Sequence, residues 1–145
     1  MRRALLGLGI LLCGAAAAEA GAVGVTPHTS YALHCSGCHT LSGEGAPDAG
    51  IPTFIDSVGT IARADLGRTY MMHVPGVISA GLSAEGIAQV MNYILDAWGD
   101  GAPHFTVAEV TERRAVPVRD VVAFRRQVAT GLEREGLAIA DYPWP

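Results

Sequence analysis

The sequence predicts an all-α fold, and three observations carry that prediction. Within Ala84–Trp98, the apolar residues Ile87, Val90, Met91, Ile94, Leu95 and Trp98 recur at three- and four-residue steps, the stripe of an amphipathic helix. Thr106 with Glu109 three residues later forms a capping box that should open a further helix. Beyond Pro117, Val118, Val121, Val122, Val128 and Leu132 mark one face of another, with Arg125, Arg126 and Glu133 assigned to the opposite side. There is no internal repeat and no phosphate-binding loop.

The elements can be justified in chain order. Residues 1–20 read as a secretory signal peptide. Arg2 and Arg3 start it, Ala4 to Leu12 is apolar, and Ala18-Glu19-Ala20 is a small-x-small cleavage site. The apolar run is shorter than the ~20 residues a membrane span needs. Cys13 leaves with it, and its bulky neighbours Leu11 and Leu12 argue against a lipoprotein signal. The expected product is a periplasmic protein with no membrane span. Removing Arg2, Arg3 and Glu19 from ten basic and fourteen acidic residues leaves a formal charge near minus five, with no lysine. An acidic exported protein is a poor fit to nucleic acid or anionic membrane.

The next feature is His34-Cys35-Ser36-Gly37-Cys38-His39-Thr40, which holds the two remaining cysteines. A disulfide across so short a loop would close almost no chain. A structural zinc site commonly uses two such pairs, and there is one. A thioredoxin-like dithiol follows a strand, and no β-branched run precedes Cys35. Cys-x-x-Cys-His is the c-type haem attachment pattern. Two thiols three positions apart can reach the two vinyl groups on one porphyrin edge, and the following imidazole can turn beneath the ring to ligate iron. Haem c is attached outside the bacterial cytoplasm, so motif and signal peptide predict each other. One covalent haem c, held by Cys35 and Cys38 with His39 on the iron, is the expected cofactor.

From about residue 25 to 100 the chain resembles the small, mitochondrial-like (class I) monohaem cytochromes c. Tyr31, four before Cys35, stands where that family carries an aromatic on its first helix. Gly50-Ile51-Pro52 follows His39 at the family's Gly-Pro distance. The resemblance implies that the Pro52 carbonyl accepts a hydrogen bond from His39, and that three to four helices surround the haem. Gly43 to Gly59 reads as an irregular loop rich in Gly and Pro. Phe54, Ile55 and Val58 are expected to wall the haem, and Arg63 or Arg68 to neutralise a propionate. A helix from about Ile61 to His73 is expected, with Gly67 weakening it.

The sixth iron position is where the sequence departs from the resemblance. The family commonly places Met-Pro shortly before its last helix, and here Val74-Pro75 stands in that neighbourhood. Valine cannot ligate. His73 and Met72 are the expected ligands, level with each other. His73 shares a face with Leu66 and Tyr70, whereas Met72 keeps the family's ligand type. Met71 is expected to be core filler, since successive helix residues point ~100° apart. An open iron is the third option.

Ser83 should cap the helix over Ala84–Trp98, with Gly86 where Glu would complete the box, and Gly99-Asp100-Gly101 should stop it. This helix resembles the family's C-terminal one, which packs across the first. The domain expectation is therefore a haem domain over 21–101 and a helical extension over 102–145 packed on it. The functional expectation is a periplasmic carrier of single electrons, not itself an enzyme, meeting redox partners through a basic patch on their side. The alternatives are a haem protein with an open sixth position, or a dedicated cytochrome subunit of a larger dehydrogenase.

Overall fold

Eight α-helices form along residues 24–142, the part of the chain that the computed structural model describes. The expected signal peptide, Cys13 and the last three residues lie outside the described residues. In order the helices are α1 (Pro27–His34), α2 (Ser36–His39), α3 (Val58–Arg63), α4 (Asp65–Met71), α5 (Pro75–Ser79), α6 (Ala84–Trp98), α7 (Val107–Arg114) and α8 (Val121–Arg134). Among the described residues there is no strand, only an isolated bridge between Ala46 and Ile51 in the long loop. The fold is all-α, as the sequence predicts.

Local chemistry sets the helix ends. The Thr26 hydroxyl accepts from Thr29 N–H at 3.1 Å, and Pro27 fills the first position of α1, where no intrahelical donor is needed. Ser83 caps α6 by accepting from Gly86 N–H at 3.2 Å, so the glycine that spoils the box still supplies the donor. Thr106 caps α7 by accepting from Glu109 N–H at 3.1 Å, and Asp120 caps α8 through Ala123 N–H at 2.9 Å. The Glu109 carboxylate does not return to Thr106; it turns to Arg68 and Arg113.

The single helix expected over Ile61 to His73 is two. Ala64 adopts extended dihedrals (φ −90°, ψ 135°), breaking the chain between α3 and α4. Gly67 is the reason the break is tolerated: a Cβ there would stand 2.0 Å from the Ile61 carbonyl oxygen. The glycine lets α4 fold back against the end of α3. Gly59 plays the same part beside Gly99, where an added Cβ would meet the Gly99 oxygen at 2.2 Å. That contact seats α3 on the end of α6.

α1 crosses α6, α3 packs on α4 and α6, α7 lies against α6 and α4, and α8 covers α4. One hydrophobic core joins Tyr31, Ile61, Met72, Ile87, Ile94 and Leu95 to Phe105, Val110, Val128 and Leu132. It runs without interruption across the position expected to divide haem domain from extension. On α8 the buried residues are Arg125, Val128 and Leu132. Arg125, expected on the polar side, is only 2% exposed. Positions 121, 125, 128 and 132 step by four, three and four, so helical phase puts the arginine in the middle of the apolar stripe. No described helix is long and apolar enough to cross a membrane.

Candidate haem-binding site

A cavity of about 340 Å³ lies between these helices. Part of its lining is built by the joint of α1 and α2. Cys38 N–H and His39 N–H donate to the Cys35 carbonyl at 3.2 and 2.9 Å, and Thr40 N–H donates to Ser36 at 2.8 Å. This single turn brings Cys35, Cys38 and His39 to one rim of the cavity. Both thiols are free. Burial, then the neighbouring Cys38, pushes the Cys35 thiol pKa up, so the sulfur is held protonated.

His39 is half-buried, and its Nδ1 stands 3.1 Å from the Pro52 carbonyl oxygen. An Nδ1–H donated to that carbonyl fixes the tautomer and leaves the Nε2 lone pair available. Burial lowers the His39 pKa, against the opposing pull of the Pro52 bond, favouring the neutral imidazole that a metal requires. Phe54 stacks on the imidazole, with centroids 4.0 Å apart and planes inclined by 15°. Phe54 and Val58 line the cavity, but Ile55 does not; it is 41% exposed.

The residue after the imidazole is strained. Thr40 takes φ 63° and ψ 170°, a conformation that β-branched residues avoid. Fully buried Tyr31 holds it by donating its hydroxyl to the Thr40 carbonyl at 2.6 Å. Burial above all pushes the Tyr31 pKa up to about 12, so the phenol stays a donor. Tyr31 in turn packs against Tyr93 and Trp98 of α6, each at 5.4 Å. The crossing of α1 and α6 thereby fixes the turn that carries His39.

The two expected sixth ligands do not reach the cavity. Met72 is completely buried in the core outside it. His73 lies beyond the end of α4 with Nδ1 at 2.8 Å from the Thr69 carbonyl and Nε2 at 2.8 Å from that of Val116, so both ring nitrogens face backbone carbonyls and the ring does not border the cavity. The expected face of Leu66, Tyr70 and His73 fails because α4 stops at Met71, before His73, and Leu66 is half-exposed. Met71, read as core filler, and Met91, read as part of the apolar stripe over Ala84–Trp98, are the thioethers that line the cavity.

The arginines expected near the propionates are engaged elsewhere. Arg63 donates to the Asp100 carbonyl. Arg68 donates to both Glu109 oxygens at 2.5 and 2.7 Å and to the carbonyls of Ala62, Pro103 and His104. Arg125 lines the cavity instead, and its Nε has no hydrogen-bond partner. Spacing alone could have found it, four residues after Val121 and three before Val128.

These residues fit a haem. The walls are mostly aliphatic and suit a porphyrin face, two thiols and a neutral imidazole share one rim, and a buried guanidinium with an unpaired Nε borders the same cavity. No group of three or more His, Cys, Asp or Glu side chains among the described residues is placed to hold a bare metal ion. A metal here must bring most of its own ligands, as haem iron does.

Comparison with known proteins agrees. No protein-family model matches the chain. No solved structure matches it either. A cytochrome c-552 of Thermus thermophilus is 33% identical over 153 aligned positions, covering 88% of this chain and 98% of that protein. A second cytochrome c-552 of Thermus thermophilus is 34% identical over 119 positions, covering 65% of this chain and 90% of that protein. With that coverage and a cavity built to suit covalent haem, the chain belongs to the cytochrome c-552 family and is a c-type cytochrome, an electron carrier.

Proposed function

We propose that this cytochrome is exported to the periplasm, holds one haem c through Cys35 and Cys38, and passes single electrons from a dehydrogenase or quinol-oxidising complex to a terminal acceptor. The observation that carries the reading is the shared rim: two free thiols and an imidazole, whose Nδ1 faces the Pro52 carbonyl, all border one apolar cavity. Bound haem c supplies the one-electron iron couple. The chain's part is to exclude water, fix the proximal imidazole and set the potential, and no bond in a substrate changes.

Met71 is the residue we assign to the sixth position, in place of Met72 and His73. It reaches the cavity from α4, whereas Met91 comes from α6, the helix packed on α1 behind the attachment turn. Cys38 is exposed, so the attachment edge is the nearest path for an electron to a partner. The acidic surface suits a partner with a basic docking patch.

The test uses the purified holoprotein. Haem should stay with the polypeptide in denaturing electrophoresis, and Cys35→Ser or Cys38→Ser should weaken or abolish that retention. Extractable haem in the wild type would overturn the attachment. Electron exchange with a basic partner should slow as salt rises, because screening shortens to ~8 Å at physiological ionic strength. A salt-independent rate would favour a permanent subunit of a larger complex.

A further inference from the structure

Among the described residues two arginines are buried, Arg68 and Arg125, and they are treated differently. Arg68 has a carboxylate partner, Glu109, and all its donors are used. Arg125 has no carboxylate partner among the described residues. One terminal nitrogen donates weakly to the Tyr70 hydroxyl at 3.4 Å, the other to the Ala140 carbonyl at 3.1 Å, and Nε donates to nothing. The guanidinium carbon lies 5.7 Å from the Tyr70 ring centre and 5.0 Å from that of Tyr142. Glu133 and Asp141 border an adjoining hollow, yet neither pairs with it.

A guanidinium remains charged at any pH the protein meets. Burying that charge at 2% exposure without an anion is strongly unfavourable. Aromatic faces and one carbonyl offset only part of this. The charge therefore calls for an anion that the described side chains do not supply, at a point where Arg125 borders the haem cavity. Haem c carries its own anions: two propionates, on the edge opposite the vinyl groups. The thiols enter the cavity from the joint of α1 and α2, and α1 packs on α6, whereas Arg125 enters from α8, which packs on α4.

We propose that Arg125 receives a haem propionate carboxylate, with the Tyr70 hydroxyl beside it, so that the C-terminal segment closes the cavity over the ring edge. This rests on the haem reading above. Arg125 is on this account a positioning residue: it holds the propionate ionised and the ring oriented. The other titratable groups facing it are Tyr70 from α4 and Glu133, Asp141 and Tyr142 from its own segment.

The experiment compares the holoprotein with Arg125→Gln and Arg125→Lys by redox titration across about pH 5 to 8, where an unpaired buried carboxyl titrates. The wild-type potential should be flat over that span. Arg125→Gln should show a potential that falls as pH rises, with slope approaching one proton per electron, and Arg125→Lys should restore most of the flatness. Flat profiles in all three would overturn the proposal. Should Arg125→Gln fail to fold, redox-difference infrared spectra of the wild type with carboxyl-labelled haem decide. Ionised carboxylate bands alone support the pairing, and a protonated carboxyl band defeats it. Fluoride binding to the ferric protein that collapses in Arg125→Gln, with the potential still flat, would instead put Arg125 over the iron. Loss of haem from the wild-type polypeptide on denaturation would strike the attachment reading first, independently of Arg125.

Discussion

At the residue scale, the choice of sixth ligand turns on which side of α4 faces the cavity. Met71 and Met72 are neighbours, and ~100° of helical rotation separates them. One lines the cavity and the other is locked in the core at 0% exposure. Met71→Ala should abolish the methionine–iron charge-transfer band of the ferric protein and lower its potential, since a thioether ligand raises it. Met72→Ala should keep the band and lose stability instead, by about 2–5 kcal/mol, as expected for a buried Met cut to Ala. Loss of the band in Met91→Ala alone would move the ligand to α6. No such band in the wild type, with carbon monoxide binding to the reduced protein, would mean an open iron. The turn that brings Cys35, Cys38 and His39 to the cavity was legible because Cys-x-x-Cys-His is a chemical pattern that needs no knowledge of packing. Which of Met71, Met72 and His73 borders the cavity was not, because that depends on how α4 is set after the break at Ala64, and Ala64 gives no sign of a break.

At the scale of elements, the arrangement of α4 and α7 is held by one clasp. Glu109 on α7 binds Arg68 on α4 and Arg113 one turn along its own helix, while Arg113 reaches Asp65 at 2.7 Å. The hydrogen bonds from Arg68, the largest effect, hold the Glu109 carboxyl down at about 2 from an ordinary value of 4.5. Its folded pKa lies below its unfolded one, so its contribution is fully present above about pH 4.5 and lost as pH falls toward 2. The whole effect is at most about 3 kcal/mol, at 1.36 kcal/mol per unit. Denaturant unfolding of Glu109→Gln should show lower stability at pH 7 and a shallower decline below pH 4.5 than the wild type. An unchanged acid limb would mean that other carboxylates govern it. The sequence showed this helix through its Thr106 cap, yet gave Glu109 the wrong partner, because a box predicts only local bonds and Arg68 lies 41 residues away. The same limit hid Arg125. Stripes made of Val and Leu are easily seen, and a cation within one is read as its edge until the cavity beneath is known.

At the scale of the whole molecule, the question is whether residues 102–145 are an added docking arm or part of the structure. Phe105, Val110, Val128 and Leu132 are each 3% exposed or less, in the same core as Tyr31 and Leu95. Full burial of such side chains is worth about 1.5–3 kcal/mol each, or roughly 6–12 kcal/mol for the four as an upper estimate. A domain's entire stability is about 5–15 kcal/mol. The segment also supplies Glu109 to Arg68 and Arg125 to the cavity. Its removal should therefore consume most or all of the margin. A chain ending at Gly101, matured with its haem, should keep the cofactor covalently but lose its cooperative thermal transition. A detachable arm predicts something else: a melting temperature within about 5 °C of the full chain, equivalent to roughly 1 kcal/mol, and altered partner affinity alone. Calorimetry of the two holoproteins separates these outcomes, and a near-native transition in the shorter one would return the segment to the role of an arm.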